Sequence, residues 1–240
     1  MRKTDRMIEA SVTSWFKQLE DSKSLKKMPR ENKPYVTISR ESGAYGTTIA
    51  EMLVDYLSKR ERRHDAVWAV FDKELINRVI DENKLPEEYR QYFGEAAMPV
   101  IQNLMGEILG AHPPHETLIR NMSEIIYNLA SLGYVIIIGR GGNIITRSIP
   151  KGVHIRLVGS LEKRIEHMKE HLGVGEKEAK DYIGREDRDR RDYIKKYFNR
   201  DIDDVYLYDL VINLDNVPLE DAVRAIGEMV LKGKGKIQPA

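Results

Sequence analysis

The sequence predicts an α/β fold of three layers, a five-stranded parallel sheet with helices on both faces. Two observations carry this. Five short β-branched or apolar runs recur along the chain, each followed by apolar residues at helical spacing. The third of them, Val135-Ile136-Ile137-Ile138, is apolar without alternation, as a strand covered on both faces requires.

Taken in order, residues 1–33 are basic overall and place Ile8, Val12, Trp15, Phe16 and Leu19 at helical spacing, which predicts an amphipathic helix followed by the polar linker SKSLKKMPRENKP. Such a helix covers its own domain, or else makes a dimer contact or lies on a membrane surface. The first strand is Tyr35–Ile38, followed by a helix through Ile49, Met52, Leu53 and Leu57. The second is Ala66–Phe71, with a helix from about Lys73. The third is Tyr134–Ile138. The fourth is Val153–Val158, with a helix over Leu161–His171, and the fifth is Leu210–Leu214, with a helix over Leu219–Leu231. Residues 73–132 contain no convincing strand and are broken at Pro86, Pro99 and Pro113-Pro114, so they read as a helical insertion on a domain spanning 34–231. The Gly/Lys tail 232–240 reads as frayed.

Composition narrows the function. At 240 residues and 41% hydrophobic the chain is long enough for one sizeable core. Its formal charge of +1, from 39 Lys+Arg against 38 Asp+Glu, argues against a dedicated nucleic-acid binder. With no cysteine there is no disulfide scaffold, thiolate-held metal site or thiol catalysis. No apolar run approaches the roughly 20 residues needed to span a bilayer, and the N-terminus has no signal-like apolar stretch, so a cytoplasmic protein is expected.

In an open parallel sheet ligands sit beyond the carboxyl ends of the strands. The first such loop, Ser39–Thr48, has Gly43 and Gly46 three apart and Thr47-Thr48 at the helix start. Glycines let backbone N–H groups turn toward an anion, a helix N-terminus adds a positive dipole end, and threonine hydroxyls suit phosphate or Mg²⁺. The loop departs from G-x-x-x-x-G-K-[ST] because no lysine precedes the threonines. An ordinary Gly-containing turn is the plainer alternative, as it is for Gly139-Arg140-Gly141-Gly142-Asn143, where glycines surround an arginine whose planar fork suits phosphate. The run Arg185–Asp192 reads as a solvated helix face laced with charge pairs or as arginines of a mobile lid over 180–200. His112 and His115, split by prolines, read as a surface loop.

Together these segments resemble the cytidylate-kinase-like family of P-loop nucleoside-monophosphate kinases. The resemblance spans about residues 34–230 and rests on VTISRESGAYGTTIA, FDKELI, IIGRGGN, HIRLVGSLEKRI, REDRDRRDYIKKYFN and YDLVIN in that order. It implies a P-loop kinase fold, ATP and Mg²⁺ as cofactors, and phosphoryl transfer to a small-molecule acceptor, a nucleoside monophosphate of the CMP/dCMP kind. A nucleotide-binding sensor that has lost catalysis, or a kinase for another small molecule, are the alternatives. By resemblance, Arg40, Ser42, Gly43, Ala44, Tyr45, Gly46, Thr47 and Thr48 hold ATP, with Thr47 or Thr48 near the metal. Asp72, Arg78, Arg140 and Asp189 bind the acceptor, and Arg140, Arg185 and Arg188 neutralise charge in catalysis. Four positions depart from cytidylate kinases proper: Arg40 replaces the first glycine, Gly46 the phosphate-loop lysine, Gly141 an aspartate and Asp192 a lid arginine. Arg40 or Lys73 is the candidate substitute for the lysine. A homodimer is compatible with the N-terminal helix; neither a nucleic-acid polymer nor a membrane is an expected partner.

Overall fold

The computed structural model describes Ser14 and residues 33–60, 66–72 and 115–233. The amphipathic N-terminal segment, most of the proline-broken insertion, Arg78 and the Gly/Lys tail from residue 234 lie outside the described residues.

Five strands form one parallel sheet: β1 (Tyr35–Arg40), β2 (Ala69–Phe71), β3 (Val135–Ile138), β4 (Gly152–Val158) and β5 (Leu210–Asn213), in the spatial order β2-β3-β1-β4-β5. Register is fixed by pairs such as Ile38↔Ile138 and Ile38↔Ile155, so β1 is enclosed on both sides. Val36, Ile38 and all four β3 residues are buried, which is why these runs carry no alternation. The strand limits differ from the sequence reading by one residue at β3, β4 and β5 and by more at two places. β1 runs two residues further, to Arg40, because β4 continues to pair with it through Leu157. β2 begins only at Ala69; Trp68 just before it is buried against the Tyr134 ring rather than laddered.

The α-helices among the described residues are α1 (Gly46–Arg60), α2 (His115–Leu132), α3 (Gly142–Ile145), α4 (Leu161–Leu172), α5 (Glu176–Phe198) and α6 (Leu219–Lys232). Successive strand side chains point to opposite faces. Thr37 lies beneath Gly142 at the start of α3, while Arg40 lies beside Gly46 at the start of α1, so α3 and α1 cover opposite faces of the sheet. Helix α1 buries Ile49, Ala50, Leu53 and Leu57 and packs on α6, whose Ala222, Val223, Ile226 and Val230 form the other half of that layer. Full burial of each such aliphatic side chain stabilises the fold by about 1.5–3 kcal/mol.

The segment expected to form a lid over 180–200 is continuous with its upstream neighbour: α5 is one 23-residue helix that ends where Asn199 adopts left-handed φ. Gly184 within it weakens local helicity. Arg190 offsets this by pairing with Glu186 at 3.2 Å and Asp187 at 3.1 Å, one turn apart. Among the described residues no helix is long and apolar enough to cross a membrane.

Candidate active site

The strand order reverses at β1: the chain leaves it for β2 and β3 on one side and returns to β4 on the other. That switch point leaves a crevice beyond the ends of β1 and β3, where loops can meet without obstruction. The phosphate-type loop follows β1, with Gly43 at φ +83° and Tyr45 at φ +50° turning the backbone before α1 begins at Gly46. The first turn of α1 has no acidic residue, whereas α4, α5 and α6 each carry at least one in theirs. The positive end of its dipole is left for an external anion.

The loop is held from outside by α4 and α5. Arg164 Nη1 donates to the Ser42 carbonyl at 3.1 Å and to Asp187 Oδ2 at 2.6 Å. The Ser42 N–H donates to Asp187 Oδ1 at 2.7 Å, and Arg190 Nη1 donates to Ser42 Oγ at 2.6 Å. His167 Nδ1 lies 2.8 Å from the Gly43 carbonyl, which can only accept, so the proton is on Nδ1; its ring stacks on Tyr45 at 3.8 Å between centroids.

After β3, Gly139, Arg140 and Gly141 all have left-handed φ, from +55° to +78°. This tight turn aims Arg140 back over the sheet end toward α5, its guanidinium 5.8 Å from the Tyr193 ring centre. Burial pushes the Arg140 pKa down and the Tyr193 phenol up to about 12. Among the described residues, neither the buried Arg140 Nε nor the buried Tyr193 Oη has a hydrogen-bond partner. Two buried polar groups left in this way need an acceptor from elsewhere.

Among the described residues, two of the cavities that open at these loops adjoin each other. One, of about 290 Å³, lies between the β3 turn and α5, lined by Arg140, Asn143, Asp189, Tyr193 and Tyr208 among others. The other, of about 380 Å³, follows the phosphate-type loop past Thr47, Thr48 and Asp72. They share Arg40, Ile138, Glu186 and Arg190 as a common wall. The far side of the first cavity is braced by Arg156, which donates to Ser39 Oγ at 3.0 Å and to Asp203 Oδ1 at 2.7 Å, and by Tyr208, which donates to the Ile202 carbonyl at 2.7 Å.

The residues expected to have roles meet this geometry unevenly. The structure brings Arg40, Ser42, Gly43 and residues 45–48 to the second cavity together with Asp72, and Arg140 and Asp189 to the first, while Ala44 is buried in the core and does not line it. It does not bring Arg185 or Arg188 there. Arg185 lies over Tyr182 beside a separate hollow at the start of α5, and Arg188 is solvent-exposed. Arg190, Asp187 and Glu186 occupy the inward face instead, with Arg164 and His167 from α4. The signal for the α5 residues was helical phase: Ile183 and Ile194 are buried, and Glu186, Asp187 and Arg190 fall on the same stripe at steps of three and four.

Comparison with known proteins agrees with this architecture. The sequence matches the cytidylate kinase-like family over residues 35–216, about three quarters of the chain. The protein belongs to the cytidylate kinase-like family. Among curated proteins none matches the sequence. Of solved structures, an uncharacterized protein from Eubacterium ventriosum is similar with a TM-score of 0.62 at 18% identity, covering 84% of this chain and all of that one. A shikimate kinase from Bacteroides thetaiotaomicron aligns with a TM-score of 0.43 at 13% identity, covering 82% of this chain and 98% of its own. The protein TT1252 from Thermus thermophilus gives 0.42 at 16%, with coverage of 85% and 99%. Membership carries a kinase-like fold with a nucleotide-binding phosphate loop.

Proposed function

We propose that this protein transfers the γ-phosphoryl group of ATP to a small phosphorylated acceptor, with nucleoside monophosphates as the first class to test. The supporting observation is the pair of cavities at one sheet edge that share a wall of Arg40, Glu186 and Arg190. Phosphoryl transfer asks a protein mainly to align two substrates and to neutralise charge on the group between them. The cavity along residues 42–48 takes the nucleotide phosphates at the N-terminus of α1. The cavity at Arg140 takes the acceptor, whose oxygens satisfy Arg140 Nε and Tyr193 Oη.

Mg²⁺ fits the second cavity by donor type, because the Thr47 and Thr48 hydroxyls and the Asp72 carboxylate all line it and Mg²⁺ takes oxygen ligands. Bound there with ATP, it would screen phosphate charge. Around it Arg190 steadies the loop through Ser42, and Arg140 orients the acceptor.

One observation favours an acceptor other than a cytidine nucleotide. Gly141 stands where cytidylate kinases proper carry an aspartate, and a Cβ at this left-handed position would lie 2.7 Å from Phe198 Cε2. The space for that carboxylate is filled by an aromatic ring, so this cavity offers a different face to whatever it holds.

The test is ADP formation from ATP·Mg²⁺ with each nucleoside monophosphate in turn and with a panel of other phosphate esters and small alcohols, alongside Arg140→Ala. Acceptor-dependent turnover that Arg140→Ala abolishes is expected. Nucleotide binding without turnover on any acceptor would instead favour a sensor that keeps the fold and has lost the reaction.

A further inference from the structure

The phosphate-type loop lacks its lysine, yet the place that side chain would occupy is filled. A Cβ built on Gly46 would meet Arg40 Cγ at 2.9 Å, Arg40 Cδ at 3.4 Å and Arg40 Cβ at 3.5 Å, its three nearest neighbours all belonging to one side chain. The Gly46 backbone is not in the left-handed region, so glycine is required here by the arginine stem and not by conformation. At its other end, Arg40 Nη1 lies against Gly139, where a Cβ would collide with it. The side chain therefore runs from the first residue of α1 to the end of β3, between two glycines that leave it room.

Its electrostatic surroundings suit an anion. Burial is the first cause pulling the Arg40 pKa down, to about 9, with repulsion from Arg190 next and Asp72 and Glu186 acting in the opposite sense. Among the described residues no carboxylate lies within ion-pair distance of it. The guanidinium stays charged at neutral pH, faces a second arginine, and would be relieved by a phosphate placed between them.

We propose that Arg40 is the phosphate-binding cation of this site, reaching from the end of β1 into the position that a lysine at 46 would reach from α1. A lysine on α1 would serve the nucleotide cavity alone, whereas Arg40 lines both cavities and can hold the group that passes between them. An arginine also offers a planar fork of donors where lysine offers a point charge. Arg40 and Gly46 thus form an exchanged pair: a large cation at 40 demands glycine at 46, and the reverse exchange is sterically open.

The inference rests on the kinase reading of the site, and the experiment separates the two. ADP affinity is measured by calorimetry with Mg²⁺ for the parent protein, Arg40→Gly, Arg40→Gln, Gly46→Lys and the double variant Arg40→Gly/Gly46→Lys, with thermal unfolding of each recorded without ligand. Loss of one charge-assisted contact weakens ADP binding by about 10- to 100-fold in Arg40→Gly and Arg40→Gln. Gly46→Lys alone weakens it too, because the stems collide, and the double variant returns to within about tenfold of the parent. If Arg40→Gly fails to fold, Arg40→Gln keeps a stem between the glycines and decides the matter. Parent-like affinity in Arg40→Gln overturns the proposal, as does a double variant that binds no better than Arg40→Gly. A parent that binds no ADP overturns the kinase reading itself, and this inference with it.

Discussion

The backbone N–H of Ser42 donates to the carboxylate of Asp187 across 145 positions of sequence, at 2.7 Å, and through this bond helix α5 grips the phosphate-type loop. The same carboxylate takes Arg164 at 2.6 Å and Arg190 at 3.1 Å, with Arg164 and Asp187 side chains only 11% and 19% exposed. One mostly buried anion therefore joins three elements: the β1 loop, α4 and α5.

Removing that anion leaves Arg164 and Arg190 both on Ser42 without the carboxylate that joins them. Asp187→Asn is expected to destabilise the protein by about 2–3 kcal/mol, below the figure for a fully buried pair because both groups keep some solvent. Arg164→Met in the same chain should recover part of the loss, since one of the two mostly buried positive charges that shared Asp187 is then removed as well. Chemical denaturation of the two single variants and the double checks this; strictly additive losses would show that the pair is not coupled.

The two arginine faces of α5 make a second, opposed pair of expectations. Arg190 donates to Ser42 Oγ and lines both cavities, while Arg188 is exposed. Arg190→Ala should lower kcat/KM by about 10²-fold, the cost of a phosphate loop misplaced by about 1 Å. Arg188→Ala should cost at least about tenfold less. Steady-state kinetics on the best acceptor measures both; an equal or larger loss for Arg188 would mean that α5 rotates or unwinds when substrate is bound.

Gly141 tests how far the first cavity is from that of a cytidine-nucleotide kinase. Gly141→Asp places a side chain at φ +70° and within 2.7 Å of Phe198 Cε2. Left-handed strain and overpacking together should cost about 2–4 kcal/mol. Adding Phe198→Ala should return the steric part of the thermal shift. Should Gly141→Asp alone fold as stably as the parent and raise turnover of CMP, the argument from Phe198 for a different acceptor would be lost.

The fold was legible because its central strands are uniform apolar runs: Val135–Ile138 is buried throughout, as its composition required. Strand β5 shows the limit of that signal. Leu210–Asn213 reads the same way, yet only Ile212 is buried, because β5 is an edge strand and an edge covers fewer side chains. The glycine-rich loops also announced themselves, since their spacing follows from backbone geometry. The α5 residues did so only through helical phase with Ile183 and Ile194, because charge density marks an arginine run without saying which face turns inward. Arg156 and Tyr208, both on Ser39, brace the cavity through contacts set by strand order, which no local pattern contains.

The last expectation concerns acid stability. Asp215, in the turn after β5, accepts from the Ser160 N–H with both carboxylate oxygens at 3.0 Å, and Lys163 Nζ donates to its carbonyl at 2.9 Å, fixing the entry to α4. The Ser160 backbone hydrogen bond is the main reason that the Asp215 carboxyl titrates below its ordinary value of 3.8. A carboxyl whose folded pKa is lowered binds fewer protons folded than unfolded. Its contribution is therefore complete above about 3.8 and fades as the pH falls through that value to the lower folded one. Asp215→Asn keeps an acceptor oxygen and removes the charge. Its melting temperature should fall below the parent's at neutral pH, and the gap should narrow below about pH 3.8 as the parent's own carboxyl takes up its proton. Melting curves from pH 7 down to about 3 measure it, and a gap that stays constant over that range would assign the effect of Asp215 to packing at the head of α4 and not to its charge.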